Sequence, residues 1–383
     1  MISKKIFHLT KIFFLARWSI LPPKKVDIVL FDEINNPFLN FLNKKKYSMF
    51  SIRNEEINLY VLFICILKLK INRKEYIKVF FNYANPKIIL TAIDNSQSFL
   101  KLKDYLNKEI KIISIQNAYR TYWGDLLDLE KNFNIKKTKF KVDLMFVFNK
   151  KIKEIYSKYI DGEKIIIGAY TNNERKKKIL KKKKEILFIS THKPFVNLKS
   201  FDHKVSNYDF FKNDKKVLER VLELCKKFNL KLNILGRITS KKDTVKEYAY
   251  FKNILGNNFN FIKNEHGQNN HSICDKYEYV ITIDSTLGVE NLSRGGRTIF
   301  ISSRPKKYPA KTRAYGNLEG LKLNGNYWCY FNSKKNFDKV FYNLIKEDNK
   351  FWSKCIAKNR NSIMKYDPGN LIFEKEINSC LKN

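Results

Sequence analysis

The sequence predicts an α/β protein of two Rossmann-like, doubly wound domains facing across a cleft. Three observations lead there. At 383 residues the chain exceeds what one ordinary core serves, since a domain usually holds about 100 to 200 residues. Short β-branched runs alternate with longer helix-patterned segments from end to end, the mark of parallel sheets built from βαβ units. Finally, a stretch of nearly continuous charge, NNERKKKILKKKKE from Asn172 to Glu185, divides that rhythm in two.

In the first half, apolar runs predict strands at Val26–Phe31, Lys87–Ile93, Ile110–Ile115 and Leu144–Phe148, with helical spacing at Gln97–Asn107 and Lys150–Ile160. Ile57–Lys70 is apolar enough to be a buried helix or a strand, and its spacing leaves both open. Near the N-terminus, Phe13, Phe14 and Trp18 lie beside Lys11 and Arg17. That mixture admits an amphipathic membrane-surface segment, although core packing of a first helix is the better-supported expectation. The second half offers strands at Ile186–Ser190, Lys231–Leu235, Tyr279–Ile283 and Thr298–Ser302. Helices are expected at Lys215–Phe228, Lys241–Leu255, Thr286–Arg294, Phe337–Ile345 and Asn370–Leu381. These elements give an N-terminal domain over 1–171, a basic linker over 172–185, a C-terminal domain over 186–368 and a last helix over 369–383 that packs back on the first domain.

Lys and Arg number 75 against 37 Asp and Glu, a formal charge of +38, which points to a polyanionic partner: nucleic acid, an anionic membrane surface or a charged substrate. Part of that excess is compositional, because Lys, Ile, Asn and Phe are abundant together, as in an AT-rich coding sequence. Nucleic acid is disfavoured, since no zinc finger, RRM-like aromatic signature or helix-turn-helix can be read. Six scattered cysteines without a CxxC pair read as reduced thiols. Lys11 and Arg17 interrupt the N-terminal apolar stretch, so a secretory signal is not expected, and the run Ile57–Leu67 falls short of the ~20 residues that span a bilayer. The expected location is cytoplasmic, with any lipid contact peripheral at the inner membrane face.

The segment richest in chemistry is YVITIDSTLGVENLSRGGRTIFISSR, Tyr279 to Arg304. An apolar strand ends at Asp284, a Ser-Thr-Leu-Gly turn follows, and a short helix runs to Arg294, where Gly295 and Gly296 stop it. The turn then lies at the carboxyl edge of the sheet, where open α/β folds bind ligands. Ser285 or Thr286 can cap the helix and leave amides facing outward, and Gly288 lets a phosphate approach the backbone. Glu290, one turn after Thr286, can accept ribose hydroxyls. The competing reading is an ordinary capped helix with an acid near its positive end. Neither GxGxxG nor GxxxxGK[ST] occurs, which disfavours a dinucleotide or P-loop site.

Other strand ends carry suitable groups. His192, after the strand at Ile186–Ser190, and Gly236 with Arg237, after the strand at Lys231–Leu235, are suited to a diphosphate whose charge grows as it leaves, and Arg304 is a further cation for it. Gln116, Asn117 and Arg120, in SIQNAYRT, carry polar groups from a strand end into the cleft. Asp32, Glu33 and Asp94 are carboxylates at strand ends, each a candidate general base. His266 and His271, in EHGQNNH, are spaced too poorly on a helix face to suggest a metal site, and no cofactor is expected.

DSTLGVENLSRG (Asp284 to Gly295), the following IFISSR and SIQNAYRT (Ser114 to Thr121) resemble bacterial surface-carbohydrate biosynthesis proteins of O-antigen and capsule synthesis, GT-B-type glycosyltransferases. The resemblance implies a nucleotide-sugar donor bound by the second domain, a glycan or lipid-linked acceptor bound by the first, and transfer without a metal. Ala118 departs from the pattern, where a glycine is expected. A nucleotide-sugar epimerase or polyol-phosphate transferase of the same fold, and a non-catalytic nucleic-acid-binding protein, remain as alternatives.

Overall fold

The computed structural model describes residues 14–32, 37–52, 56–119, 127–174, 182–192, 211, 213–265, 269–303, 322, 324–331, 333–359 and 361–382. Among these residues fourteen strands occur, numbered in chain order. In the first half they are β1 (Arg17–Ser19), β2 (Ile28–Phe31), β3 (Tyr47–Phe50), β4 (Glu56–Asn58), β5 (Ile88–Thr91), β6 (Lys111–Ile115), β7 (Phe140–Val147) and β8 (Ile160–Ile166). The second half adds β9 (Lys183–Ile189), β10 (Leu232–Leu235), β11 (Asn260–Ile262), β12 (Tyr277–Thr282), β13 (Arg297–Ser302) and β14 (Trp328–Tyr330).

They form two six-stranded sheets, ordered β3-β2-β5-β6-β7-β8 and β11-β10-β9-β12-β13-β14, with β1 and β4 as a separate pair. Every pairing is parallel. Parallel sheets need helices on both faces, so their central strands are apolar throughout: Ile28, Val29, Leu30 and Phe31 are all buried, alternating between two separate core clusters. The chain reverses its direction of winding between β2 and β5 in the first sheet and between β9 and β12 in the second. In doubly wound folds the ligand crevice opens at the carboxyl ends of such strands.

A threonine marks each switch point. Thr91 Oγ1 donates to Phe31 O across β5 and β2 at 2.9 Å and accepts from Ile93 N at 3.1 Å. Thr282 Oγ1 donates to Ile189 O across β12 and β9 at 3.3 Å and accepts from Ser285 N at 3.3 Å. In both sheets the hydroxyl ties the two strand ends and turns the following loop outward.

The helix Leu371–Lys382 packs on the first sheet, where Phe373 and Ile377 are buried with Leu30, Phe38, Ile113 and Phe146. Asn172 and Asn173, at the start of the basic stretch, are not solvated. Asn173 Oδ1 accepts from Asp367 N at 2.9 Å, and Asn172 bonds both Ser293 Oγ, at 2.9 Å, and the guanidinium of Arg294. Lys183 to Glu185, read as linker, open β9. The ambiguous stretch resolves to helix Leu59–Leu67, started by Asn58, whose Oδ1 accepts from Val61 N. Of the N-terminal segment expected to pack as a helix in the core, Phe14 and Trp18 are exposed and Trp18 lies in β1. Burial raises the thiols of Cys225, Cys274 and Cys329 to about 12, so these are protonated packing residues.

Candidate active site at the facing sheet edges

Polar groups line the carboxyl edges of both sheets, and Tyr119, in the loop after β6, bonds Thr286, in the turn after β12. In the first sheet, β5 ends in Thr91 and leads to Asp94, which is 0% exposed. Asp94 Oδ2 accepts from Tyr156 OH, and Oδ1 accepts from Asn117 N at 3.4 Å. Gln116, also buried, accepts from Phe148 N at 2.8 Å and donates to Ala118 O at 2.9 Å. Both side chains thus shape the loop after β6. Asp94 is committed to internal donors, and Asp32, at the end of β2, is buried as well. Its φ is +97°, a conformation that costs a non-glycine residue about 1–3 kcal/mol and concentrates at functional sites. Glu33 and Arg120 lie outside the described residues.

The shaped loop carries Tyr119 to the other domain. Its backbone N–H donates to Thr286 Oγ1 at 3.1 Å, and its hydroxyl donates to Ser362 O at 2.6 Å and accepts from Asn149 Nδ2 at 3.2 Å. Burial drives the Tyr119 phenol well above its ordinary pKa, so it stays a neutral donor. Asn149 also caps helix Lys150–Ser157 through Ile152 N, which makes one capping residue a brace between the halves.

The second cluster surrounds Glu247, a residue the sequence reading passed over. It lies on helix Lys241–Leu255 and is 0% exposed. Its carboxylate accepts from Ser190 Oγ at 2.5 Å, Arg237 N at 3.0 and 3.1 Å, and Ile238 N at 3.1 Å. One buried charge thereby fixes the loops after β9 and β10 together. Its only sequence signal is an acid on the buried stripe Thr244, Glu247, Phe251 and Leu255 of that helix. Gly236 is required by this packing, since a Cβ there would meet Phe261 Cζ at 2.8 Å and Glu247 Oε2 at 3.2 Å.

Around Glu247, Arg237 Nη1 donates to Thr191 O at 3.2 Å. His192 stacks on Tyr250 with ring centroids 3.8 Å apart, and burial lowers its pKa to about 4. His192 is therefore a neutral imidazole at physiological pH and brings no cation to the site. Among the described residues, Thr191 Oγ1 and His192 Nδ1 are buried without a hydrogen-bond partner, two polar atoms at the end of the same strand.

At the turn after β12, Ser285 stands at the N-cap of helix Thr286–Ser293 but makes no side-chain capping bond, and the Thr286 hydroxyl is taken by Tyr119. Both differ from the side-chain cap expected. Gly288 serves a different purpose from phosphate approach: it faces the sheet, where a Cβ would come within 2.6 Å of Thr282 Cγ2. Glu290 is buried, and its Oε2 meets His271 Nε2 at 2.9 Å. His271, set aside in the metal argument, is thus the partner of the expected ribose ligand. His266 and Arg304 lie outside the described residues, although Ser303, beside Arg304, is anchored to Asp214 and to Asn213 Nδ2.

Two doubly wound sheets whose carboxyl edges face one another, with polar clusters on both, define a GT-B-type architecture. The chain belongs to a family described as "putative O-antigen biosynthesis protein", whose model matches residues 113–380. Among solved structures, it is similar to a histidine-to-alanine variant of the wall teichoic acid polymerase TagF, with TM-score 0.53 and 12% identity over 94% of this chain and 90% of that one. A histidine-to-asparagine variant of TagF gives TM-score 0.51 and 14% identity over 100% and 97% of the two chains. MurG of Acinetobacter baumannii gives TM-score 0.49 and 10% identity over 94% and 99%. The TagF likenesses establish the shared fold. No curated protein sequence matches the chain.

Proposed function

We propose that the chain is a glycosyltransferase that moves a sugar from a nucleotide-sugar to a cell-surface glycan or lipid-linked precursor on the cytoplasmic side of a membrane. The observation that carries the proposal is the bond from Tyr119 N to Thr286 Oγ1 at 3.1 Å, which holds the two carboxyl edges against each other. A donor seated at one edge then presents its sugar to an acceptor at the other.

In this reading the second sheet binds the donor. The start of helix Thr286–Ser293 offers its positive end to the diphosphate, Arg237 and Arg304 add charge, and Thr191 supplies a hydroxyl. Glu290 Oε1 takes the ribose while His271 holds Oε2. Gly288 and Gly236 act indirectly, by letting the helix and loop pack closely. In the first sheet Asp32, with Glu33, removes the proton of the acceptor hydroxyl, and Asp94, Gln116 and Asn117 set the loop that carries Tyr119 and Arg120. The diphosphate leaves as the new glycosidic bond forms, its charge met by the helix end and the arginines without a metal ion. A second reading, transfer of a polyol phosphate, draws on the similar TagF polymerase, one structure of which was soaked with CDPG.

The test is a thermal-shift panel of UDP-, GDP-, CMP- and dTDP-sugars together with CDPG, run on the native chain and on Glu290→Gln. Stabilisation by one sugar donor, lost in Glu290→Gln, is expected. A shift with CDPG alone selects the polyol reading. No shift with any donor, together with steeply salt-dependent binding of nucleic acid, would remove the enzyme assignment. Turnover should persist in EDTA; activity that disappears and returns with manganese contradicts the metal-free mechanism.

A further inference from the structure

The first domain carries an apolar surface that the transfer reaction does not use. Among the described residues, eleven of the sixteen exposed large apolar side chains fall in two short segments, 14–21 and 59–71, so the exposure is concentrated. The segments are neighbours: β1 pairs with β4, β4 runs straight into helix Leu59–Leu67, and Asn58 Nδ2 donates to Ser19 Oγ at 3.2 Å and Leu21 O at 2.8 Å. On that helix Val61 and Cys65 face the core, while Phe63, at 55% exposed, and Leu67, at 64%, face outward. Leu69, just beyond, is 91% exposed. A helix apolar on both its inner and outer faces is ordinarily covered on both.

Cations rim the patch. Arg17, Lys24, Lys25, Lys68, Lys70, Arg73 and Lys74 are exposed, and no acid occurs in 14–25 or 59–74. The flanking Glu56 and Glu75 pair with Arg17 at 3.7 Å and Lys68 at 3.2 Å, leaving a net positive border. A helix of nine residues is about 14 Å long, far too short to span a bilayer, and no helix among the described residues is long and apolar enough to cross one. Its size instead suits insertion to the depth of the headgroups, some 5–10 Å.

We infer that this face docks the protein on an anionic lipid surface, with Phe63, Leu67 and Leu69 entering the headgroup layer and the basic rim resting on lipid phosphates. The apolar area alone would suit a second copy or another protein. The positive border selects an anionic surface, to which each basic residue adds roughly a fivefold gain in partition. The inference stands apart from the chemistry at the sheet edges, because its test needs neither donor nor acceptor.

The full chain is co-sedimented with vesicles of phosphatidylcholine alone and of phosphatidylcholine with phosphatidylglycerol. Binding to the anionic vesicles only is expected. Phe63→Glu with Leu67→Glu should lower the partition at least tenfold with an unchanged melting curve, since both side chains already face water. Lys70→Glu, Arg73→Glu and Lys74→Glu together should lower it by at least about a hundredfold, since each change removes a cation and adds an anion. Lys335→Glu, Lys339→Glu and Lys350→Glu, the same charge change on exposed positions of the second domain, should lower it far less. Equal loss in both charge variants with none in the apolar variant would reduce the binding to the general field of the +38 charge and overturn the inference. A dimer in light scattering that Phe63→Glu with Leu67→Glu converts to monomer, without vesicle binding by either, would overturn it in favour of a second copy.

Discussion

Glu247→Gln isolates the buried charge that organises the donor edge. The carboxylate receives Ser190 Oγ at 2.5 Å and the amides of Arg237 and Ile238 at 3.0 to 3.1 Å, with no exposure to water. Glutamine keeps the size but replaces one acceptor oxygen by an NH2 group; with its carbonyl kept on the amides of Arg237 and Ile238, the NH2 group turns to Ser190 Oγ, which then accepts and leaves its own O–H without the carboxylate. A buried donor without an acceptor costs about 1–3 kcal/mol, and hydrogen bonds to a charged group are worth about 1.5–3 kcal/mol. The substitution should therefore cost about 2–5 kcal/mol, a large part of the ~5–15 kcal/mol that holds a typical protein folded. The opposite rotamer of the amide is worse, because its NH2 group would meet the N–H groups of Arg237 and Ile238 at the Oε2 position. Gly236, whose hypothetical Cβ would lie 3.2 Å from Oε2, leaves no space for the side chain to withdraw. Urea unfolding followed by circular dichroism, with the slope checked for constancy, measures the change. A loss below about 0.5 kcal/mol, the range of ordinary surface substitutions, would refute the claim that this carboxylate fixes the loops.

Asp32→Asn should lower turnover by about 10²–10⁴-fold, beyond any loss of stability, whereas Asp94→Asn, which disturbs the bonds to Tyr156 and Asn117, should show mainly as a stability loss; a large rate loss in folded Asp94→Asn with none in Asp32→Asn would exchange their roles. Tyr119→Phe deletes the hydroxyl bonded to Ser362 O and Asn149 Nδ2, and should cost about 1–3 kcal/mol in the unfolding of the whole chain, while Thr286→Val removes only the acceptor of Tyr119 N and should raise the KM for acceptor more than it lowers stability. His192 titrates near 4 when folded against an ordinary 6.5, so the unfolded chain takes up the proton first and stability falls as pH drops from about 6.5 to 4, by no more than about 3 kcal/mol; His192→Phe should flatten that limb of a pH–stability curve, and an unchanged limb would mean that other groups produce it.

The central strands were legible because a parallel sheet covered on both faces demands unbroken apolar runs, and eight such runs correspond to β2, β5, β6, β7, β9, β10, β12 and β13. Of the six strands that escaped the sequence reading, β3, β8, β11 and β14 are the edges of the two large sheets, and β1 and β4 form the separate pair. Edge strands pair on one side only and tolerate short, polar sequences such as IDGEKII in β8 and NFI in β11. The same logic governs the site. The strand-turn-helix around Ser285 could be located, since apolar strand, capping residue and glycine stop are local signals. Which groups meet there could not, because Tyr119 and Thr286 are 167 positions apart and Ser190 and Glu247 are 57 apart.

The sequence by itself determined the fold class, the places where strands end in polar turns, and the excess of positive charge. These depend on the chemistry of neighbouring residues. Tertiary structure alone decided the employment of the polar groups: Asp94 given to Tyr156, Glu247 to the loops after β9 and β10, Glu290 to His271, and Gly288 to the sheet beneath it. It also decided that Phe63 and Leu67 face outward, which periodicity could not tell from burial. A buried polar atom must find its partner wherever the fold brings one, and that distance is set in space, with no trace in the order of residues along the chain.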